Sequence, residues 1–359
     1  GMWTVMSVFW DEGRTNLENF CRDARLPSTT YATPFNYLIV PKPEQMLRAS
    51  VGLAFRRARL QYIYSILRGK DLDTGLFSEE RREQQFEKLK VAQAHTLDIQ
   101  NWHEFIKALK QAGYNNESFI SSNNNILYSY VFFLIGRIDY KVDLYELKKL
   151  IAKWFFMCSI TGRYTGSPET AMEMDLAKFR SVETAEDFVV ELNTIIDSQL
   201  TSDFWEVTLP MDLATSSFRS PSLFAYYASL NIHHALGLFS KLQVKELLES
   251  GLRANKSALE RHHLFPKAWL MRNGITEQRD INQIANFALV EWSDNIAISD
   301  KEPKVYLSYY QSRFDNDVWQ KMYYWHALPE NWEEMNYQDF LLERRRLIAE
   351  VVKSAYQKL

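Results

Sequence analysis

Apolar residues recur every three to four positions through most of the first 250 residues, and this period is the strongest constraint on the fold. Over 44–68 the pattern runs Met46, Leu47, Val51, Ala54, Phe55, Ala58, Tyr62, Ile63, Ile66 and Leu67, one buried face of a helix. Over 184–200, Phe188, Val189, Leu192, Ile195, Ile196 and Leu200 form a second such stripe, and a third spans 336–358 through Phe340, Leu341, Leu347, Ile348, Val351 and Val352. Pro43 suits a first helical turn, and Ser78 ahead of Glu79 and Glu80 suits an N-cap. Loops are expected at 26–43, 113–125 and 161–169, where Gly, Pro, Asn and Ser collect. The expected class is mainly α, with a small amount of β structure.

Totals narrow the function classes. The 359 residues carry a net charge of −3, so any contact with nucleic acid must come from a local patch rather than a global field. The two cysteines, Cys21 and Cys158, form no CxxC pair, which excludes a cysteine-built zinc site and suits a reducing cytoplasm. No apolar run reaches the ~18 residues that a membrane span needs, so no membrane partner is expected. The opening "MWTVMSVFW" is apolar with no capping residue, as expected of a chain that enters mid-domain.

Near residue 255 the helical period fades. The short apolar runs "HLFP" and "NFALVEW" are too brief for helices and fit strands, with the Gly-containing "MRNGITEQRDINQIAN" as a loop between them. The expected order is strand, loop, strand, then a helix at or near Asn295. Two parts follow: a helical part over 2–250 and a smaller β-containing part over 251–359.

Two histidine doublets occur among seven histidines. His233 and His234 lie in a helical stretch, where neighbours point roughly 100° apart and cannot readily share one ion. That pair reads as packing, with one ring partly buried and one near the surface. His262 and His263 stand instead at a strand end ahead of Pro266, with Asn282, Asn286 and Asn295 following.

The residues His262, His263, Leu264, Pro266, Asn286 and Asn295, with Lys301 six residues on, resemble the HNH, or ββα-metal, nuclease motif. More narrowly, "ERHHLFPKAWL" with "DINQIANFALVEWSDNIAISDKEP" is similar to the C-terminal nuclease domain of GmrSD-type restriction proteins, and "LIAKWFFMCSITGRYTGSPETAMEMDLAKF" is similar to the middle region of that group. The resemblance implies a helical scaffold with an embedded ββα-metal unit. It implies DNA as substrate and a divalent ion (Mg, Mn, Ni or Zn) on His262 and Asn295. It implies His263 as general base and Asn286 as the residue that holds the His263 ring. Histidine at 262 departs from the usual acid and shifts preference from Mg toward Mn, Ni or Zn; Glu260 could supply a carboxylate through water. The group usually carries an upstream nucleotide-linked domain with a DGQQR-like signature, and no such signature occurs here.

Lys267 and Lys301, with Arg272 and Lys304, are the expected phosphate contacts. Yet residues 255–310 hold seven Lys/Arg and seven Asp/Glu, so solvated surface charge explains them equally well. "RRAR" (56–59) and "RRR" (344–346) read as solvated helix faces. "GRYTGSPE" reads as a helix start, although its Arg163 could bind an anion. The rival to an endonuclease is a non-catalytic helical DNA- or protein-binding module with a degenerate HNH fold, its histidines tied into local hydrogen bonds.

Overall fold

The computed structural model describes residues 1–24, 38–248 and 259–359. The fold is mainly α-helical, with one two-stranded antiparallel sheet among the described residues. The chain divides into two compact units, residues 1–111 with 122–198, and residues 112–121 with 199–359. The boundary expected at 250/251 lies outside the described residues, and 199–248 belong with the second unit.

In the first unit the apolar period builds helices around an aromatic centre. Trp102 meets Tyr130 edge-on at 4.9 Å, and Phe132 meets Trp154 at 5.0 Å, with both tryptophans fully buried. Caps mark the ends as the sequence predicts. Ser78 accepts from the Arg81 N–H at 3.1 Å, and Pro43 and Pro168 stand in first turns. Gly162 closes Leu144–Thr161 at φ 62, a left-handed conformation in which a side chain would be strained.

The helix expected over 44–68 is broken. Pro43–Phe55 ends where Arg56 turns to φ 55, and a new helix starts at Leu60. The cause is Glu173, which is 8% exposed and far away in sequence. Its carboxylate accepts from the Ala58 and Arg59 backbone N–H groups at 2.5 and 3.1 Å and pairs with Arg57 at 2.9 Å. A buried carboxylate requires such donors, and the donors come from peptide groups released by the break. Within "RRAR", the Arg57 side chain and the Ala58 and Arg59 N–H groups therefore hold Glu173 while Arg56 pairs with Asp139, so the stretch is not a solvated helix face.

The turn before Pro168 is structural. Arg163 binds the buried Asp175 with two bonds of 2.9 and 2.6 Å, and Tyr164 donates to it at 2.6 Å. The anion this arginine holds is the chain's own.

In the second unit, β1 (Leu259–His263) pairs antiparallel with β2 (Phe287–Glu291), setting His262 opposite Ala288 and His263 opposite Phe287. The first strand begins earlier than the run "HLFP" suggests. Leu264 donates to the Asn286 carbonyl at 2.7 Å, the chain then turns, and Pro266 offers no N–H to extend the ladder. The outer side of β2 is met by Leu238, whose N–H donates to Leu289 O at 2.8 Å. The helix Trp292–Ile298 follows β2 and packs on both strands.

Beneath the sheet, Phe265 contacts Trp332, Tyr337 and Phe340 at 4.8–5.6 Å. Arg344 of the last helix, Tyr337–Gln357, is fully buried rather than solvated. It donates to the carbonyls of Ala285 (2.7 Å), Phe287 (2.6 Å) and His326 (3.1 Å), tying the start of β2 to that helix. Of "RRR", Arg346 alone has the expected character, with exposed i,i+3 and i,i+4 pairs to Glu343 and Glu350.

Candidate functional site

The end of β1, the turn after it and the helix after β2 enclose a cleft of about 440 Å³. Its lining includes His262, His263, Lys267, Asn295 and Asp300. Strand alternation sets Glu260 and His262 on one side of β1, and Arg261 and His263 on the other. At the strand end both rings still border the cleft.

His262 is 2% exposed. Its Nδ1 lies 3.2 Å from Asn295 Oδ1. Asn295 Nδ2 donates to Glu260 Oε2 at 2.9 Å, which turns the amide so that its oxygen faces the imidazole. Glu260 is thus an orienting group for Asn295. Burial pushes the His262 pKa down to about 4, the Asn295 contact opposing the shift and the neighbouring His263 adding to it. The ring is neutral at pH 7, the form that ligates metals. His262 Nε2 is buried and meets no hydrogen-bonding partner among the described residues. The Tyr306 ring stands 5.5 Å away, edge to face.

His263 is half-buried, and its Nε2 lies 2.9 Å from Asn282 Oδ1. An amide oxygen only accepts, so Nε2 carries the proton and Nδ1 carries the lone pair. Burial lowers the His263 pKa, and the charge of Lys267 lowers it further, against the raising effect of Asn282. The ring is therefore a neutral base at pH 7, with its tautomer set.

Asn286 does not hold that ring. It is fully buried, accepts from Phe265 N–H at 2.9 Å and donates to the carbonyls of Phe265 and Ile281, each at 3.1 Å. With its own carbonyl taken by Leu264 N–H, it closes the turn after β1. The expected role at His263 falls to Asn282, whose position in a polar stretch gave no sign of it.

The expected phosphate contacts divide. Lys267 borders the cleft. Lys301 does not line it; its Nζ donates to Ala297 O at 2.9 Å near the end of the Trp292–Ile298 helix, where a cation is favoured. Lys304 pairs with Glu334 at 2.9 Å, and Arg272 approaches Asp300 at 3.7 Å. The other doublet follows its packing role. His233 is buried, its Nε2 3.0 Å from Val351 O and its Nδ1 2.8 Å from the Lys358 ammonium, and His234 is exposed.

For a divalent ion, the available donors are one amide oxygen and His262 Nδ1, the latter only in the tautomer that puts the ring proton on Nε2 and so gives up the hydrogen bond to Asn295. Among the described residues, no group of three or more His, Cys, Asp or Glu side chains is arranged to hold a metal ion. The pair fits an ion that completes its shell with water and phosphate oxygens, and nitrogen ligation suits Mn, Ni or Zn better than Mg. No described helix is long and apolar enough to cross a membrane. Comparison with family models, with curated proteins and with solved structures finds no match for this chain.

Proposed function

We propose that this cleft hydrolyses phosphodiester bonds as a metal-dependent DNA endonuclease of the restriction or phage-defence type. The observation that carries the reading is the convergence of His262 Nδ1 and Asn295 Oδ1, with the Asn295 amide set by Glu260, at the cleft that His263 borders. A strand–strand–helix unit bearing these residues at these places agrees with the ββα-metal resemblance of the sequence.

His262 and Asn295 would hold the ion. When bound, it would supply positive charge to the phosphate and to the departing oxygen. His263 accepts a proton from the attacking water at Nδ1, while Asn282 keeps its Nε2–H in place. Lys267 offers the phosphate a cation, and its charge adds to the burial that lowers the His263 pKa. A base of this kind contributes about 10²–10⁴-fold in rate.

One observation favours a second reading, a non-catalytic module with a degenerate nuclease fold. The 3.2 Å contact also fits a hydrogen bond from a protonated Nδ1 to Asn295, so each histidine can be satisfied locally. Two measurements separate the readings: calorimetric titration of wild type and His262→Ala with Mn, Ni, Zn and Mg, and cleavage of circular double-stranded and single-stranded DNA in each metal. Metal binding that depends on His262, with cleavage that depends on His263, supports the nuclease. Absence of both leaves the binding module.

A further inference from the structure

We propose that the substrate enters this site as a single strand, and that Arg261, held flat on Phe218, stacks an unpaired base beside the scissile phosphate. The inference rests on the nuclease reading of the cleft and names its substrate class.

A continuous row of flat groups leads away from the proposed base. The Phe287 ring lies 4.2 Å from His263, the Phe218 ring lies 4.9 Å from Phe287 at 79°, and the Arg261 guanidinium lies 3.7 Å over Phe218. His263, Phe287 and Phe218 are half-buried, and Arg261 is exposed. Arg261 precedes His263 by two residues on β1, so the two side chains share a face about 7 Å apart. That span is roughly two nucleotide rises of a B-form strand. A phosphate at His263 therefore sets a base one or two nucleotides along within reach of Arg261.

Phe218 is half-buried and lies outside the fully buried core. It sits in the turn "TSSFRS", which is locked by Ser217 N–H on Thr215 Oγ1 (3.1 Å) and Arg219 N–H on Ser217 Oγ (3.3 Å). Ile284 N–H on Thr215 O (2.9 Å) fixes the same turn beside the start of β2. One plane of the guanidinium is thus supported on an ordered ring, and its exposed plane is a surface on which any base can stack. Residues 255–310 carry balanced charge, so long-range attraction to a duplex is weak. Stacking supplies sequence-tolerant affinity that charge does not, and only an unpaired base offers its face without first leaving a duplex.

The test is fluorescence anisotropy of the full chain in EDTA with labelled 12-nucleotide DNA and RNA strands and a duplex of equal length. Wild type should bind single strands at least about 10-fold more tightly than duplex. Arg261→Gln and Phe218→Ala should each lose about 10-fold on single strands and little on duplex, and Phe218→Trp should restore binding. Circular dichroism melts identify any variant that fails to fold, in which case Phe218→Trp against Arg261→Gln decides. Equal affinity for duplex and single strands, or variants that bind single strands like wild type, would overturn the proposal. The DNA and RNA arms tell which strand is taken. Because metal is absent, the outcome is independent of cleavage: stacking-dependent binding without cutting in any metal sinks the nuclease reading alone, and cutting without this dependence sinks the platform alone.

Discussion

Glu260 accepts the Asn295 Nδ2–H at 2.9 Å, and this contact decides which end of the Asn295 amide faces His262. Without it, the amide could turn its NH₂ toward the ring, and a donor cannot ligate a cation. Glu260→Ala should lower affinity for Mn or Ni by about 10–100-fold, the usual cost of losing an orienting partner. Glu260→Gln, which keeps an accepting oxygen, should stay near wild type. Calorimetric titration reads both, and equal losses in the two variants would refute the orienting role.

His263→Ala removes the proposed base while leaving His262 and Asn295 in place. Cleavage should fall about 10²–10⁴-fold with metal affinity and melting temperature little changed. Asn282→Ala should cost less, since it frees the tautomer but keeps the ring. If Asn282→Ala were the more damaging of the two in single-turnover cleavage, the assignment of the base would be wrong.

Asn286→Ala should act on stability first. It orphans the Phe265 N–H and the Phe265 carbonyl in a fully buried turn and leaves the Ile281 carbonyl only its 3.4 Å contact with the Tyr337 hydroxyl. Each orphaned group costs about 1–3 kcal/mol, so a loss of several kcal/mol is expected by urea unfolding. A loss of activity with unchanged stability would instead point to a direct role in the chemistry.

Arg344→Met should be similarly costly, by about 3 kcal/mol, although no acid among the described residues pairs with this arginine. Its guanidinium satisfies three carbonyls from two segments, and methionine fills the volume while satisfying none. Arg346→Met, on the exposed side of the same helix, should shift stability by under about 1 kcal/mol. A smaller effect at 344 than at 346 in urea unfolding would contradict the burial.

His326 should make the fold sensitive to acid. Its Nε2–H donates to Leu236 O at 2.8 Å, and burial, with the charge of Arg344, pushes its pKa down to about 4. The unfolded chain takes up the proton near pH 6.5, before the folded one does. Its contribution is therefore complete above about pH 6.5 and is lost as pH falls toward 4, amounting to about 3 kcal/mol. His326→Gln should flatten the fall in urea midpoint between pH 7 and 4.5. A wild-type profile as flat as that of the variant would exclude this histidine as the source.

Local spacing made part of the site legible. The two strands and the helix after them came from two short apolar runs, and the helix was expected at or near Asn295, whereas the stretch expected as a loop carries the short helices Lys267–Arg272 and Gln278–Ile281. The start of β1 was misplaced because hydrogen-bond pairing, rather than apolar character, decides where a ladder ends. Asn282 and Asn286 are alike by type and four residues apart, so nothing in the chain told which would face the ring. Burial separates them: Asn286 is swallowed by the turn it closes, and Asn282 stays at the edge beside His263.

The sequence by itself determined the mainly helical class and the helix caps, because those features depend on spacings within a few turns of chain, whereas the grouping of His262, His263 and Asn295 came from the resemblance to the ββα-metal motif. Only the tertiary structure decided that Glu260 aims Asn295, that Arg344 is a buried tie, that Lys301 turns away from the cleft, and that Glu173 breaks the helix expected over 44–68. Most of these outcomes turn on which donor meets which acceptor across tens of residues of chain. The energy of an unpaired buried group then overrides the local preference that the sequence displays.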